Sequence, residues 1–421
     1  MTDHSPDLFA SLPDPQLDLL HKIADQAVVL GFPIYIVGGS VRDLVLGRPV
    51  LDFDLVLEGD AMVLGRALAT KFGGKLTVHT RFGTAKWFPG GDTLQQPGLP
   101  DFIDLISARS EAYKHPAALP TVKPGIMADD IRRRDFTINA LAVRLDGAHF
   151  GELRDELGGM DDLHNGLVRV LHPRSFMDDP TRMFRAVRYE KRYDLKIEPQ
   201  TLALVPEARP LIAKLSAQRV RHELDLILDE PNAEFMLARL GDLDLLNPIH
   251  PALTWDVTTW ARLQHKVDTG EARWLLWLMS LTEPEIKSLN ERLKFTASRL
   301  KSLYGSSKIF TTLSAFADLK PSQCVERLEN LPLSAVSVVT LVAQGQSRQS
   351  LEKYLSEWRH VKPKTTGNDL KELGIEPGPK YHEILSGLRA AWLDGLVGSG
   401  NEEKAHLEEI LRKAQTIQRL R

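Results

Sequence analysis

The stretch YIVGGSVRDLVLGRPVLDFDLVLE, Tyr35 to Glu58, holds two pieces of chemistry in succession. A β-branched run (Ile34, Ile36, Val37) meets Gly38-Gly39-Ser40, followed by Arg42 and Asp43. Glycines between a strand and a helix let backbone N–H groups approach a triphosphate, and Ser40 and Arg42 add donors. Further on, Asp52-Phe53-Asp54 opens a second apolar run. Residues two apart on a strand face the same side, so both carboxylates project together while Phe53 and Leu55 face a core. Two carboxylates that close repel unless a cation lies between them. Hard oxygen donors of this kind suit Mg²⁺ held jointly with substrate phosphates. A pair of such ions would activate an attacking hydroxyl and stabilise a leaving pyrophosphate. Asp104, in FIDLI on another expected strand, is the candidate third carboxylate. A solvated strand edge also explains a lone D-x-D, and a Gly-Gly turn is common. Their succession at short range is what points to nucleotidyl transfer.

Outward from this stretch, residues 17–30 read as an amphipathic helix ended by Gly31. Strands are expected near 34–37, 53–57, 75–79, 84–88, 102–106 and 138–145. Leu64, Leu68 and Phe72, four apart, give a helix one apolar face. Pro89 to Asp101 reads as a Gly/Pro-rich turn. Arg109 to Asp130, with three prolines and little periodicity, reads as a long mobile loop. After about 150 the strand signals fade and helical patterns run to the end. The expected class is α+β: a sheet-based head at 1–147, then helical segments 148–215, 216–300 and 301–421. No internal repeat or low-complexity segment interrupts them.

The bulk composition narrows the class. The chain has 421 residues, 43% hydrophobic and 26% charged, as in soluble globular proteins. The single Cys324 excludes an internal disulfide and fits a reducing cytosol. The N-terminal residues lack a basic segment and an apolar run, so no signal peptide or membrane span is expected. The net charge of −3 means that any nucleic-acid contact comes from local patches. The densest is Arg132-Arg133-Arg134-Asp135-Phe136-Thr137-Ile138-Asn139. Three consecutive arginines are costly without an anion, and triphosphate or RNA phosphate would relieve that cost. Asp135 and Asn139 add groups suited to a ribose. The plain alternative is a solvated basic turn paired with Asp129 and Asp130.

Taken together, G-G-S-V-R-D…D-F-D and R-R-D-F-T-I-N-A resemble the class II tRNA nucleotidyltransferase and bacterial poly(A) polymerase family. The likeness continues through Gly158-Gly159-Met160-Asp161-Asp162-Leu163…Gly166-Leu167-Val168-Arg169. It then takes in Phe176-Met177-Asp178-Asp179-Pro180-Thr181-Arg182-Met183-Phe184-Arg185 and SAQRVRHEL from Ser216 to Leu224, with Arg219 and Glu223. Five motifs in order, over about residues 30–230, make it specific. The resemblance implies a polymerase-β-like catalytic head followed by helical neck, body and tail, a cytoplasmic location, and tRNA, CTP and ATP as partners. Asp52, Asp54 and Asp104 would be catalytic, Asp52 and Asp54 holding two Mg²⁺. Gly38, Gly39, Ser40, Arg42, Arg133, Arg134, Asp135 and Asn139 would bind triphosphate and ribose. Asp179, Arg182 and Arg185 would select the base, supported by Asp178, Arg188, Arg219 and Glu223.

The family's selecting motif, Glu-Asp-x-x-Arg, stands here as Asp178-Asp179-x-x-Arg182, a departure that shortens the first acid. Its logic is a matter of hydrogen bonding. Cytosine and adenine both offer an amino donor beside a ring-nitrogen acceptor, which a carboxylate and a guanidinium match. Uracil and guanine present the reverse order and leave both side chains unpaired, at about 1–3 kcal/mol each. One Asp and one Arg thus admit C and A together. Asp179, ahead of Pro180, also reads as a plain helix N-cap.

In the helical remainder, Lys294, Arg299, Lys301 and Lys308, interleaved with Phe295 and Tyr304, read equally as an RNA-facing patch or a solvated helix. TGNDL (366–370) and GIEPGP (374–379) resemble the family's tail segment. The final helix, Leu407 to Leu420, ends in basic residues that suit its dipole. No His-Asp pair of the metal phosphohydrolase type is present, so no appended phosphatase is expected. Four functions stay open: full CCA addition, addition of only A or only CC, poly(A) synthesis, and catalytically silent RNA binding. The retained D-x-D argues against the last.

Overall fold

The computed structural model describes residues 8–50, 52–80, 83–90, 98–264, 267 and 269–419, with side chains as far as Arg412. The chain divides into two compact units, Met1–Glu223 with Arg239–Ile249, and Leu224–Ala238 with His250–Arg421.

The first unit is built on a seven-stranded mixed sheet. Its strands are β1 (Ile34–Val37), β2 (Asp54–Leu57), β3 (Lys75–His79), β4 (Thr84–Phe88), β5 (Ile103–Ser107), β8 (Ala142–Arg144) and β9 (Leu153–Arg154), in the spatial order β3-β4-β5-β2-β1-β8-β9. Only β2 and β5 run parallel. Apolar alternation explains the layering. Ile34, Ile36, Leu55 and Leu57 point to one face with Leu64 and Leu68 of α3 (Ala61–Phe72), and all six are fully buried. Gly65 of α3 lets that helix close on the sheet, since a Cβ there would lie 2.7 Å from Leu76 and 3.3 Å from Ala85. Asp60 caps the helix by accepting from Met62 N–H at 2.8 Å. On the other face, Tyr35, Val37 and Val56 pack with Met127 and Ile131 of α4 (Met127–Arg132).

The expected strands near 34–37, 75–79 and 84–88 agree with the structure residue for residue. The run at 138–145 does not stay extended. Thr137–Asn139 form one 3₁₀ turn before β8, because Asn139 is held back toward Asp135. The expected mobile loop after Arg109 is also corrected. Arg109–Ala112 and Thr121–Pro124 pair as an antiparallel hairpin, β6–β7, and α4 begins before Asp130. Part of the expected turn at 89–101, residues 91–97, lies outside the described residues.

The unit continues with α5 (Gly159–His164), α6 (Ser175–Asp178) and α7 (Thr181–Arg192), joined by a two-residue parallel pairing of Leu167–Val168 with Lys196–Ile197. Asp155 satisfies the start of α5 by accepting from Gly159 and Met160 N–H.

Among its described residues, the second unit has no strand. Helices Gly270–Leu278, Ala297–Thr311 and Leu333–Val342 bury Trp274, Leu276, Leu303, Val336 and Val339. Phe295 is buried, and Arg299 is held by Glu271 (2.7 Å) and Asp225 (2.9 Å), so these two members of the basic-aromatic run serve packing. Farther along, Gly367–Glu372, Pro379–Leu393 and Gly400–Arg419 gather around Leu370, Ile384, Leu388 and Leu407. Glu403 clamps this group by accepting from the N–H groups of Lys364 and Thr365 and from the Trp392 indole. The last helix starts at Gly400, earlier than the expected Leu407. Its expected last residue, Leu420, and Arg421 lie outside the described residues. No helix among the described residues is long and apolar enough to cross a membrane.

Candidate active site

A cleft of about 650 Å³ opens in the first unit, with Asp54 toward the sheet, Asp179 just before α7 and Arg182 in its first turn. Asp52 and Asp54 are exposed while Phe53 between them is buried, as strand alternation requires. Across the parallel register Asp54 lies beside Asp104. Loss of solvation against the cleft wall raises the Asp54 carboxyl above its ordinary range, although its edge reaches solvent. Asp104 and Asp52 add to the rise and Arg134 opposes it. A divalent cation would relieve this accumulation of negative charge, so the donor set fits the metal that the sequence implies. No group of three or more His, Cys, Asp or Glu suited to a metal occurs among the described residues. Asp52 and Asp54 would hold such an ion together with phosphate oxygens and water, the arrangement Mg²⁺ favours. Asp104 is ion-paired to Lys86 at 3.4 Å.

The glycine turn lies on the β1 side of Asp54. Gly38 has φ of +67°, open to glycine, and a Cβ there would lie 2.5 Å from Arg134 Nη1. α2 (Gly39–Val45) starts immediately after, and Ser40 ties it to the segment leading into β2 by donating to the Asp52 carbonyl at 3.0 Å. Arg42 is buried. It donates to Asp43 twice, to Asn139 Oδ1 at 2.5 Å and to the Tyr193 hydroxyl, and stacks on the Tyr193 ring at 4.2 Å.

The arginine run is organised by a buried acid. Asp130, fully buried, accepts from Arg133 (2.6 Å) and Arg134 (2.8 Å), and Arg133 also reaches Glu111. Asp130 thus pairs with the basic turn as the plain alternative held, but deep in protein rather than in solvent. Asp135 accepts from Asn139 at 2.9 Å and from Arg185 at 2.7 Å. Burial by itself would raise the Asp135 carboxyl. Arg185, then Asn139, outweigh it and hold the group below the usual carboxylate range. The same pairing pushes the Arg185 guanidinium upward against the effect of its own burial.

At the far end, Asp179 Oδ1 accepts from Thr181 N–H (2.9 Å), Thr181 O–H (2.6 Å) and Arg219 (2.5 Å). Oδ2 has no hydrogen bond among the described residues. Asp179 is therefore both helix starter and carboxylate with a free oxygen. Arg182 donates to Ser175 Oγ (2.6 Å) and the Arg133 carbonyl (2.9 Å), which leaves N–H groups unspent. Arg188 and Glu223 face each other at 3.7 Å, both buried, and burial raises the Glu223 carboxyl.

Gly39, Arg42, Arg133, Arg134, Asp135 and Asn139 all line this cleft, as do Arg185, Arg188, Arg219 and Glu223. Gly38, Ser40, Asp52 and Asp104 flank it without lining it, and Asp178 turns to Arg174 at 3.8 Å instead. The sequence reading did not single out Tyr113, Glu111, Tyr189, Tyr193 and His222, which also form the wall. The Tyr113 hydroxyl is pushed up to about 12 by burial, with Glu111 and Asp179 adding to the rise. Glu111 and Tyr113 come from β6 and its end, Tyr189 and Tyr193 from the end of α7, and His222 from the helix at 217–228, so only folding gathers them.

Comparison with known proteins identifies the family. The poly A polymerase head domain family matches residues 34–169, and the family described as the probable RNA and SrmB-binding site of polymerase A matches 194–256. The A-adding tRNA nucleotidyltransferase of Halalkalibacterium halodurans is 32% identical over 416 residues, 97% of this chain and 95% of that protein. The CC-adding tRNA nucleotidyltransferase of Deinococcus radiodurans is 32% identical over 89% of each chain. The chain spans about half the length of two other A-adding relatives, from Geobacter sulfurreducens (47%) and Aquifex aeolicus (44%). Among solved structures, the Thermotoga maritima CCA-adding enzyme complexed with tRNA matches with a TM-score of 0.75 at 28% identity, over 98% of this chain and 99% of that one. CCA-adding enzymes solved with ATP and with CTP match at TM-scores of 0.79. Motifs and fold coincide, and the chain belongs to the class II tRNA nucleotidyltransferase and poly(A) polymerase family of nucleotidyltransferases.

Proposed function

We propose that this enzyme completes the 3′ end of tRNA by adding CMP, CMP and AMP from CTP and ATP, without a nucleic-acid template. One observation carries the reading. A single cleft has Asp54 on one side, flanked by Asp52 and Asp104, and one unsaturated Asp–Arg pair on the other. That pair matches the shared donor–acceptor edge of cytosine and adenine. Asp52 and Asp54 would hold Mg²⁺, which when bound supplies charge stabilisation for phosphoryl transfer. Gly38, Gly39 and Ser40 present the triphosphate. Arg133 and Arg134, held by Asp130, neutralise it, and Asp135 with Asn139 fixes the ribose side. The RNA 3′-oxygen bonds to the α-phosphorus, the bond from that phosphorus to the β-phosphate bridge breaks, pyrophosphate leaves, and the hydroxyl proton passes to water. The helical residues after the head grip the tRNA by backbone and shape, as duplex RNA demands.

A second reading, addition of the terminal A alone, is favoured by the near end-to-end match to an A-adding relative. Three tRNAs, ending at the discriminator base, at C and at CC, separate the two when each is given CTP, ATP or both. Incorporation of C on the shorter ends followed by one A supports full CCA addition; A on the CC end alone overturns it in favour of the second reading. Long A tracts on unrelated RNA point to a poly(A) polymerase. Asp54→Ala should lower incorporation by about 10²–10³-fold, the scale of a lost electrostatic contribution to transfer, with tRNA binding retained in a filter or gel-shift assay.

A further inference from the structure

On the side of Asp54 away from the glycine turn, the sheet carries a strip of aromatic and basic side chains. Register aligns Asp54 on β2, Asp104 on β5 and Lys86 on β4 in one row across three adjacent strands. The opposite face of the same strands bears Leu105, Ala85 and Trp87 and is sealed by α3. Lys86, Asp104, Phe88 and Phe102 therefore point away from that helix, and all four are partly exposed. The Phe88 and Phe102 rings lie 5.9 Å apart, tilted by 56°, and the Lys86 ammonium stands 3.5 Å over the Phe102 ring and 3.4 Å from Asp104.

Two phenyl rings and a cation on a partly exposed sheet face do little for a core. They match an unpaired nucleotide, whose base stacks on aromatic faces and whose phosphodiester seeks a cation. Position names the nucleotide. In-line displacement puts the attacking oxygen and the leaving pyrophosphate on opposite sides of the α-phosphorus. The strand order puts the glycine turn after β1 on one flank of Asp54 and β5–β4 on the other. Phe102 lies two residues before Asp104, a spacing of roughly 6.6 Å along a strand, within one nucleotide's reach of the reacting centre.

We infer that Phe88, Phe102 and Lys86 seat the 3′-terminal nucleotide of the acceptor RNA, its base against the phenyl pair and its phosphodiester against Lys86. The inference rests on the nucleotidyl-transfer reading above. The test uses the full-length enzyme, ATP, and two tRNA minihelices ending in CC that differ only in the last nucleotide, one bearing its base and one abasic. For the wild type, the abasic end should raise the acceptor KM about tenfold. Phe88→Leu and Phe102→Leu, which keep an apolar side chain on the strand, should cost a similar factor on the natural end and almost nothing on the abasic one. Lys86→Ala should lower the slope of log affinity against log salt by about one. Equilibrium binding of ATP should match the wild type in all three variants, which also shows that they are folded.

An abasic penalty undiminished in both phenylalanine variants overturns the base seat, and an unchanged salt slope overturns the phosphate contact. Loss of ATP affinity in step with acceptor affinity would move the strip to the incoming nucleotide and overturn the assignment. A wild-type enzyme that extends neither CC-ended RNA with ATP nor shorter ends with CTP would refute the proposed function instead, a result distinct from all of these.

Discussion

Arg42 makes four hydrogen bonds to protein, on Asp43, Asn139 and Tyr193. A guanidinium has five N–H groups, so at most one remains for a phosphate. Its sequence neighbours point to the triphosphate, but its side chain mainly joins the glycine turn to the end of α7. Arg182 is the reverse case, with N–H groups to spare beside the free oxygen of Asp179. Arg182→Ala should reduce discrimination of C and A against U and G by about 5–150-fold, the worth of one buried polar mismatch, measured as the ratio of kcat/KM values. Asp135 carries a pH signature. Its native-state value lies below its unfolded value, so its stabilisation is complete above the unfolded value of about 3.9 and is lost as pH falls through the native one. Asp135→Asn should cost about 3 kcal/mol near neutrality, because it leaves Arg185 without its partner. Urea denaturation at successively lower pH should show the gap from wild type narrowing only below the usual carboxylate range.

At the scale of elements, the glycine turn and the hairpin behave oppositely as sequence signals. The turn is local: a strand, Gly38 at φ of +67° and a helix follow in order, and that φ disfavours any side chain wherever the rest of the chain goes. Gly38→Ala should displace Arg134 and raise the KM for nucleotide at least tenfold, more than it lowers thermal stability; steady-state kinetics and a melting curve read the two. The hairpin β6–β7 gave no such signal. Its strands hold only four residues each, and Arg109, Glu111 and Tyr113 are polar where strand alternation would show apolar residues. Those polar groups face the cleft, Glu111 toward Arg133 and Tyr113 beside Asp179, so function removed the periodicity that would have announced the strands.

For the whole molecule, a net charge of −3 gives no general attraction to RNA, so tRNA affinity must come from contacts placed along the path of the helix. Binding should still fall log-linearly with salt, with a slope reporting the number of neutralised phosphates. A slope near zero, measured by filter binding between about 50 and 200 mM salt, would contradict recognition through the backbone. The two units also differ in how openly the sequence displays them. The first has strands of period two, capped helices and motifs bound to both. In the second, Arg299 and Phe295, which resemble an RNA-binding patch in one dimension, are consumed by Glu271, Asp225 and the packing around Trp274.

The sequence by itself determined the family, the strand that carries Asp54, the glycine turn before α2, and the succession of motifs from which roles for Asp54, Asp179 and Arg182 are proposed. Each depends on residues within a few positions of one another, where strand alternation and helix geometry convert spacing into direction. Only the tertiary structure decided which charges are free to act. It gave Arg42 to Tyr193 and one oxygen of Asp179 to Arg219. Those pairings join residues far apart in the chain, and whether a charge is spent on protein or kept for substrate depends on a partner that folding brings from elsewhere.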